Sequence, residues 1–121
     1  MKRRETGILG EKIARDFLTN RGYRILETNY RCPHGEVDII AWHRDCLVFV
    51  EVRTKRSLKF GSPEESITPA KKEHLIATAW HYQQTLEAPP PLWRIDIVAV
   101  ELDRQSKPSR IELTENAVTG D

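Results

Sequence analysis

Apolar and polar residues alternate twice in quick succession over residues 35–56, GEVDIIAWHRDCLVFVEVRTKR. In the first run Val37, Ile39 and Ala41 share one face, and Glu36, Asp38, Ile40 and Trp42 share the other. In the second, Val48, Val50 and Val52 lie opposite Leu47, Phe49, Glu51 and Arg53. A period of two, rich in β-branched residues, predicts strands. The polar break at His43-Arg44-Asp45 predicts that they form a hairpin. If the loop is Arg44-Asp45, or the four residues from His43 to Cys46, Asp38 faces Glu51 and Glu36 faces Arg53. A three-residue loop would send Asp38 and Glu51 to opposite faces.

The flanking patterns fill in the rest. Residues 7–21 predict an amphipathic helix with Leu9, Ile13, Ala14, Phe17 and Leu18 as its stripe and Gly22 as its stop. Glu11 falls at the edge of that stripe and points along the packing seam. Gly7 and Gly10 fall on the buried side, where the missing side chain permits close approach. Residues 23–31 predict a first strand, and 32–35 a turn. Gly61, Ser62 and Pro63 mark 57–65 as a loop. Thr68 and Pro69 open a second helix as N-cap and first residue, running to about residue 86. Its stripe is Leu75, Ile76, Ala79, Tyr82 and Leu86, with Lys72 leading it. Residues 93–101 predict a central strand in which a buried Asp96 needs a hydrogen-bonding partner. Residues 110–113 predict a short edge strand, and 114–121 a frayed tail. The order is that of a single α/β domain over residues 1–121, a mixed sheet with helices packed on it.

Composition narrows the class. A chain of 121 residues, 39% hydrophobic and 31% charged, suits one globular core. No run approaches the roughly 20 apolar residues of a membrane span. The N-terminal MKRRETG has no apolar segment of the signal-peptide kind. Cys32 and Cys46 alone do not make a disulfide framework. Together these features predict a cytoplasmic location without membrane contact.

Charge adds a direction. The net charge is +1, but residues 53–72 carry six Lys or Arg against two Glu. Arg53, Lys55, Arg56, Lys59, Lys71 and Lys72 follow directly on the acid pair, as suits a nucleic-acid backbone laid across it. Carboxylates facing each other across two strands stand roughly 4.5–5.5 Å apart at Cβ. They repel unless a cation lies between them, and Mg²⁺ is bound through one or two protein carboxylates. Phosphodiester hydrolysis uses such a metal to activate water and neutralise developing charge.

Asp38 and the later Glu51-Val52-Arg53 follow the outline of the PD-(D/E)xK nuclease pattern. Further pieces are Gly10-Glu11 with Ala14, Gly22-Tyr23 with Ile25-Leu26 and Asn29, the run from Gly35 to Ile40, and Val48 to Val52. Phe60-Gly61, Lys71 after Thr68-Pro69, and Arg94-Ile95-Asp96 complete the set. Over nearly its full length the chain resembles the YraN-like family of bacterial proteins, which is distantly similar to archaeal Holliday junction resolvases. The resemblance implies a restriction-endonuclease-like core and an endonuclease acting on DNA, including branched DNA. It implies Mg²⁺ or Mn²⁺ held by Asp38 and Glu51, with Glu11 nearby, and by analogy with resolvases a homodimer.

One departure matters. The pattern has lysine where this chain has Arg53. Arginine stays protonated and cannot serve as a base, but it can grip a phosphate. Lys55 on the same strand face and Lys72 on the helix are candidate substitutes. A non-catalytic nucleic-acid-binding or DNA-processing accessory protein on the same fold is therefore the alternative. A zinc module built from Cys32, His34, His43 and Cys46 is a further one, although its spacing is unlike that of zinc fingers.

Overall fold

Helix α1 spans Arg3–Asn20 in a computed structural model that describes residues 3–56 and 61–118. It starts one turn before its apolar stripe does. That first turn is polar and is marked only by Glu5, which the helix dipole favours. The helix stops as its sequence predicts. Gly22 adopts φ 89°, its amide donates to the Thr19 carbonyl, and the Tyr23 amide donates to that of Leu18. This is a Schellman ending, and Leu18 and Tyr23 pack in the same core cluster.

Five strands follow in space as they do in sequence: β1 Arg24–Cys32, β2 Gly35–His43, β3 Cys46–Lys55, β4 Leu92–Leu102 and β5 Pro108–Val118. Neighbours are antiparallel except β3 and β4, which run parallel. A parallel pair needs a crossover, and helix α2, Pro69–Gln83, supplies it. The Thr68 side chain caps α2 by accepting from the Lys71 amide at 3.1 Å. The helix ends three residues short of the expected point, in a turn closed by the Leu86 amide on the Gln83 carbonyl. The domain is thus α/β, a five-stranded mixed sheet with two helices.

Strand alternation sorts the core into two layers. Ile39, Ala41, Val48, Val50, Val98 and Val100 pack with Ala14 and Leu18 of α1. Ile40, Leu47, Phe49, Ile95 and Ile97 pack with Leu75 and Ala79 of α2. The helices therefore cover opposite faces. Val37 breaks the expected pattern by joining the α2-side cluster rather than that of Ile39.

Only one of the two helix glycines is a close-approach residue. Gly7 is exposed with open space around it, whereas a Cβ on Gly10 would lie 1.8 Å from Thr54 Oγ1. Gly10→Ala is expected to push α1 off β3 and lower the unfolding free energy by about 1–3 kcal/mol. A urea titration of the variant beside the wild type measures this.

The C-terminal end differs most from the sequence reading. Residues 114–118 are not frayed, because β5 stays paired with β4 as far as Val118 opposite Ile95. The reason lies in Asp96, which is fully buried. Its Oδ1 accepts from the Asn116 amide at 2.9 Å and from Arg94 Nε at 2.9 Å. Its Oδ2 accepts from the Tyr23 hydroxyl at 3.1 Å. Burial, with the Asp96 charge second, pushes the Tyr23 hydroxyl up to about 12. The buried acid thus joins β4, β5 and the end of α1.

Candidate functional site

The hairpin register is the one that sets Asp38 against Glu51. Arg44 and Asp45 form the loop, Arg44 taking φ 57°. His43 pairs with Cys46, and the ladder continues in step as far as Ile39 with Val50. There it ends. In a two-residue hairpin the closing pair exchanges both hydrogen bonds, and so does every second pair after it. Continuing the ladder would therefore give the Val52 amide to Val37. Instead that amide donates to Asp38 Oδ2 at 2.7 Å. The carboxylate replaces a strand carbonyl at the point where β2 leaves β3.

Asp38 lies close enough to Glu51 for each to feel the other's charge. Burial pushes the Asp38 carboxyl up, the Glu51 charge adds to the rise, and the result is about 8. This is how two acids in one desolvated place behave: one keeps its proton. Glu51 is 3% exposed. Its Oε2 pairs with Arg53 at 2.9 Å and with Lys71 Nζ at 3.3 Å. Arg53 Nε is buried without a hydrogen-bond partner.

Glu11 approaches from α1. It accepts from Asn29 Nδ2 at 3.1 Å and from Arg15 at 3.2 Å. Partial burial raises its carboxyl, and the nearby Asp38 charge raises it further. A cleft of about 520 Å³ opens here between the N-terminal half of α1 and the splayed ends of β2 and β3. Glu11, Asp38 and Arg53 line it together with Arg3, Arg4 and Lys55. The arrangement brings hard oxygen donors and fixed cations to one opening. That combination can hold a small divalent cation and oppose a phosphate.

Not every candidate arrives where the sequence put it. Lys72 is exposed, and Lys71 takes the place expected of it, four residues before buried Leu75 on the same helix line. Arg56 turns to Thr6 Oγ1 at 3.0 Å and Ser106 Oγ at 2.7 Å, tying α1 to the β4–β5 turn. Glu36 does not meet Arg53; it pairs across β1 with Arg31 at 3.0 Å. Lys59 lies outside the described residues. Arg3 and Arg4, which the sequence reading did not single out, line the cleft only because α1 starts early. Cys32 and His34 lie at one end of β2 and His43 and Cys46 at the other, so they build no zinc site. Among the described residues no three His, Cys, Asp or Glu side chains are placed to hold a metal ion by themselves. No helix among the described residues is long and apolar enough to cross a membrane.

Known proteins are similar to this chain over nearly all of its length. The chain is 49% identical over 116 residues to a UPF0102 protein of Dehalococcoides mccartyi, covering 96% of this chain and 94% of that one. It is 45% identical over 117 residues to a UPF0102 protein of Caldicellulosiruptor saccharolyticus, covering 97% and 99%. A UPF0102 protein of Moorella thermoacetica is 44% identical over 117 residues, covering 97% and 98%. Residues 10–100 match the profile described as "Uncharacterised protein family UPF0102". That span holds Glu11, Asp38, Glu51 and Lys71, and the chain belongs to the UPF0102 family.

Proposed function

We propose that this protein is a divalent-metal-dependent endonuclease acting on DNA. The observation that carries the reading is the meeting of Asp38 and Glu51, two acids from adjacent strands, beside a cleft rimmed by Arg3, Arg4, Arg53 and Lys55. The donor set suits Mg²⁺ or Mn²⁺, which take oxygen ligands and need only one or two from protein, the rest being water and substrate phosphate. A chelating trio is therefore not required. When bound, the ion supplies Lewis acidity and an activated water.

The chain's own residues have distinct tasks. Asp38 and Glu51 hold the cation. Glu11, held by Asn29 and Arg15, orients water on the α1 side of the cleft. Arg53 grips the scissile phosphate, and its place on the cleft lining supports this, since a guanidinium binds an oxyanion through its N–H fork. It stays protonated and takes no proton from water. Lys55, with Arg3 and Arg4, follows the nucleic-acid backbone. Branched DNA as substrate and action as a homodimer come from the resemblance to resolvases.

A second reading has an observation of its own. Glu51 already carries two cationic partners, which suits a site that binds phosphate without cutting it. Cleavage of labelled linear, single-stranded and four-way-junction DNA with Mg²⁺ or Mn²⁺ separates the two. The endonuclease reading expects cutting by the wild type and none by Asp38→Ala or Glu51→Ala. Cutting that survives both substitutions overturns the site. Binding without cutting, with cutting gained in Arg53→Lys, favours the second reading.

A further inference from the structure

We infer that Lys71 is a built-in competitor for the divalent cation, occupying Glu51 until DNA draws it away. The inference rests on the metal-site reading above and adds a control on when that site fills. Glu51 is almost wholly buried, and its Oε2 meets two cations of different kinds. Arg53 sits two residues along the same strand, so its pairing is local and fixed with the strand. Lys71 comes from the first turn of α2, whose start is held by the Thr68 cap. Its ammonium rides on a flexible four-carbon stem, and its side chain is 24% exposed.

An ammonium on this carboxylate opposes a divalent cation twice. It occupies an acceptor oxygen, and it repels the incoming charge at short range through a medium of low dielectric. Glu51 becomes a full ligand when Lys71 lets go. Lys71 stands outside the cleft's lining, and a DNA phosphate that reaches the exposed part of its side chain gives the ammonium another acceptor, so DNA binding and cation binding favour each other. Such coupling is reciprocal. The lysine thus keeps the site weakly loaded in the free protein and fills it on the substrate.

The test is a titration of the full chain with Mn²⁺ at pH 8.5, where Asp38 gives up its proton, followed by electron paramagnetic resonance, with and without a DNA duplex and near 0 °C to slow turnover. Wild type, Lys71→Met, Lys71→Arg and Lys72→Met are compared. Lys71→Met is expected to bind Mn²⁺ at least about tenfold more tightly without DNA, and to lose most of the gain that DNA gives the wild type. Lys71→Arg keeps the charge and is expected to stay close to wild type, as is Lys72→Met. Thermal melts identify any variant that fails to fold, and Lys71→Gln then stands in for Lys71→Met. Equal Mn²⁺ affinity in wild type and Lys71→Met overturns the inference and leaves the metal site standing. Absence of Mn²⁺ binding in wild type and variant alike overturns both.

Discussion

Asp38→Asn is expected to lower metal-dependent cleavage about 10³-fold, the scale of losing one group that stabilises charge in the transition state, while leaving the fold at least as stable as wild type. The two effects have one cause. Asp38 is a half-buried carboxyl beside buried Glu51, pushed up to about 8 from an ordinary 3.8. An asparagine keeps an oxygen for the Val52 amide and removes the repulsion, but it is a poorer ligand for a hard cation. The pH dependence follows. Below about pH 4 the carboxyl is protonated in both the folded and the unfolded chain and does not affect stability. Between about 4 and 8 the folded protein holds a proton that the unfolded chain has released. Stability therefore falls as pH rises through that window and levels off above it. Urea midpoints from pH 4 to 9 should slope downward for the wild type relative to Asp38→Asn. Parallel profiles would contradict the assignment of that proton to Asp38.

Asp96→Ala is expected to cost about 3–5 kcal/mol, the scale of breaking a buried ion pair by removing one partner. Against the 5–15 kcal/mol typical of such domains this is a large share. The melting temperature should fall by roughly 10–20 °C. The reason is the number of groups that Asp96 serves. Arg94 has a side chain only 17% exposed and pairs with it at 2.9 Å. The Tyr23 hydroxyl and the Asn116 amide lose their acceptor as well. Arg94 retains the Tyr23 hydroxyl at 2.8 Å and His43 Nδ1 at 3.1 Å. Arg94→Ala with Asp96→Ala should therefore cost less than the two single changes added together. Hydrogen exchange should show residues 114–118 loosened first, because the Asn116 amide is the direct link from β5 to Asp96. Thermal melts of the single and double variants measure both claims.

The site was legible where local rules decide geometry. A polar break between two alternating runs set the hairpin, and the hairpin set Asp38 against Glu51. The Gly22 and Thr68 signals set where α1 ends and α2 begins. What escaped was decided by tertiary contact. The run of residues 114–118 has no strand-like alternation, and it is ordered by a carboxylate twenty residues away. Val37 leaves its expected face where β2 parts from β3 and Asp38 takes the Val52 amide, a break that period-two reasoning does not foresee. The choice between Lys71 and Lys72 is set by how α2 docks, since each lies four residues before a stripe residue, Leu75 or Ile76. The polar first turn of α1, which brings Arg3 and Arg4 to the cleft, carries no apolar signal. The acid pair could thus be found from strand pairing alone, whereas the cations around it depend on how two helices dock.

The site proposal reduces to whether one divalent ion sits between two facing carboxylates, and anomalous diffraction from Mn²⁺-soaked crystals asks this directly. The account predicts a single strong peak per chain, within about 2.3 Å of a carboxylate oxygen of both Asp38 and Glu51, with hard-cation geometry completed by water. A map with no peak there, in crystals soaked above pH 8 where both carboxyls are free to ionise, would contradict it.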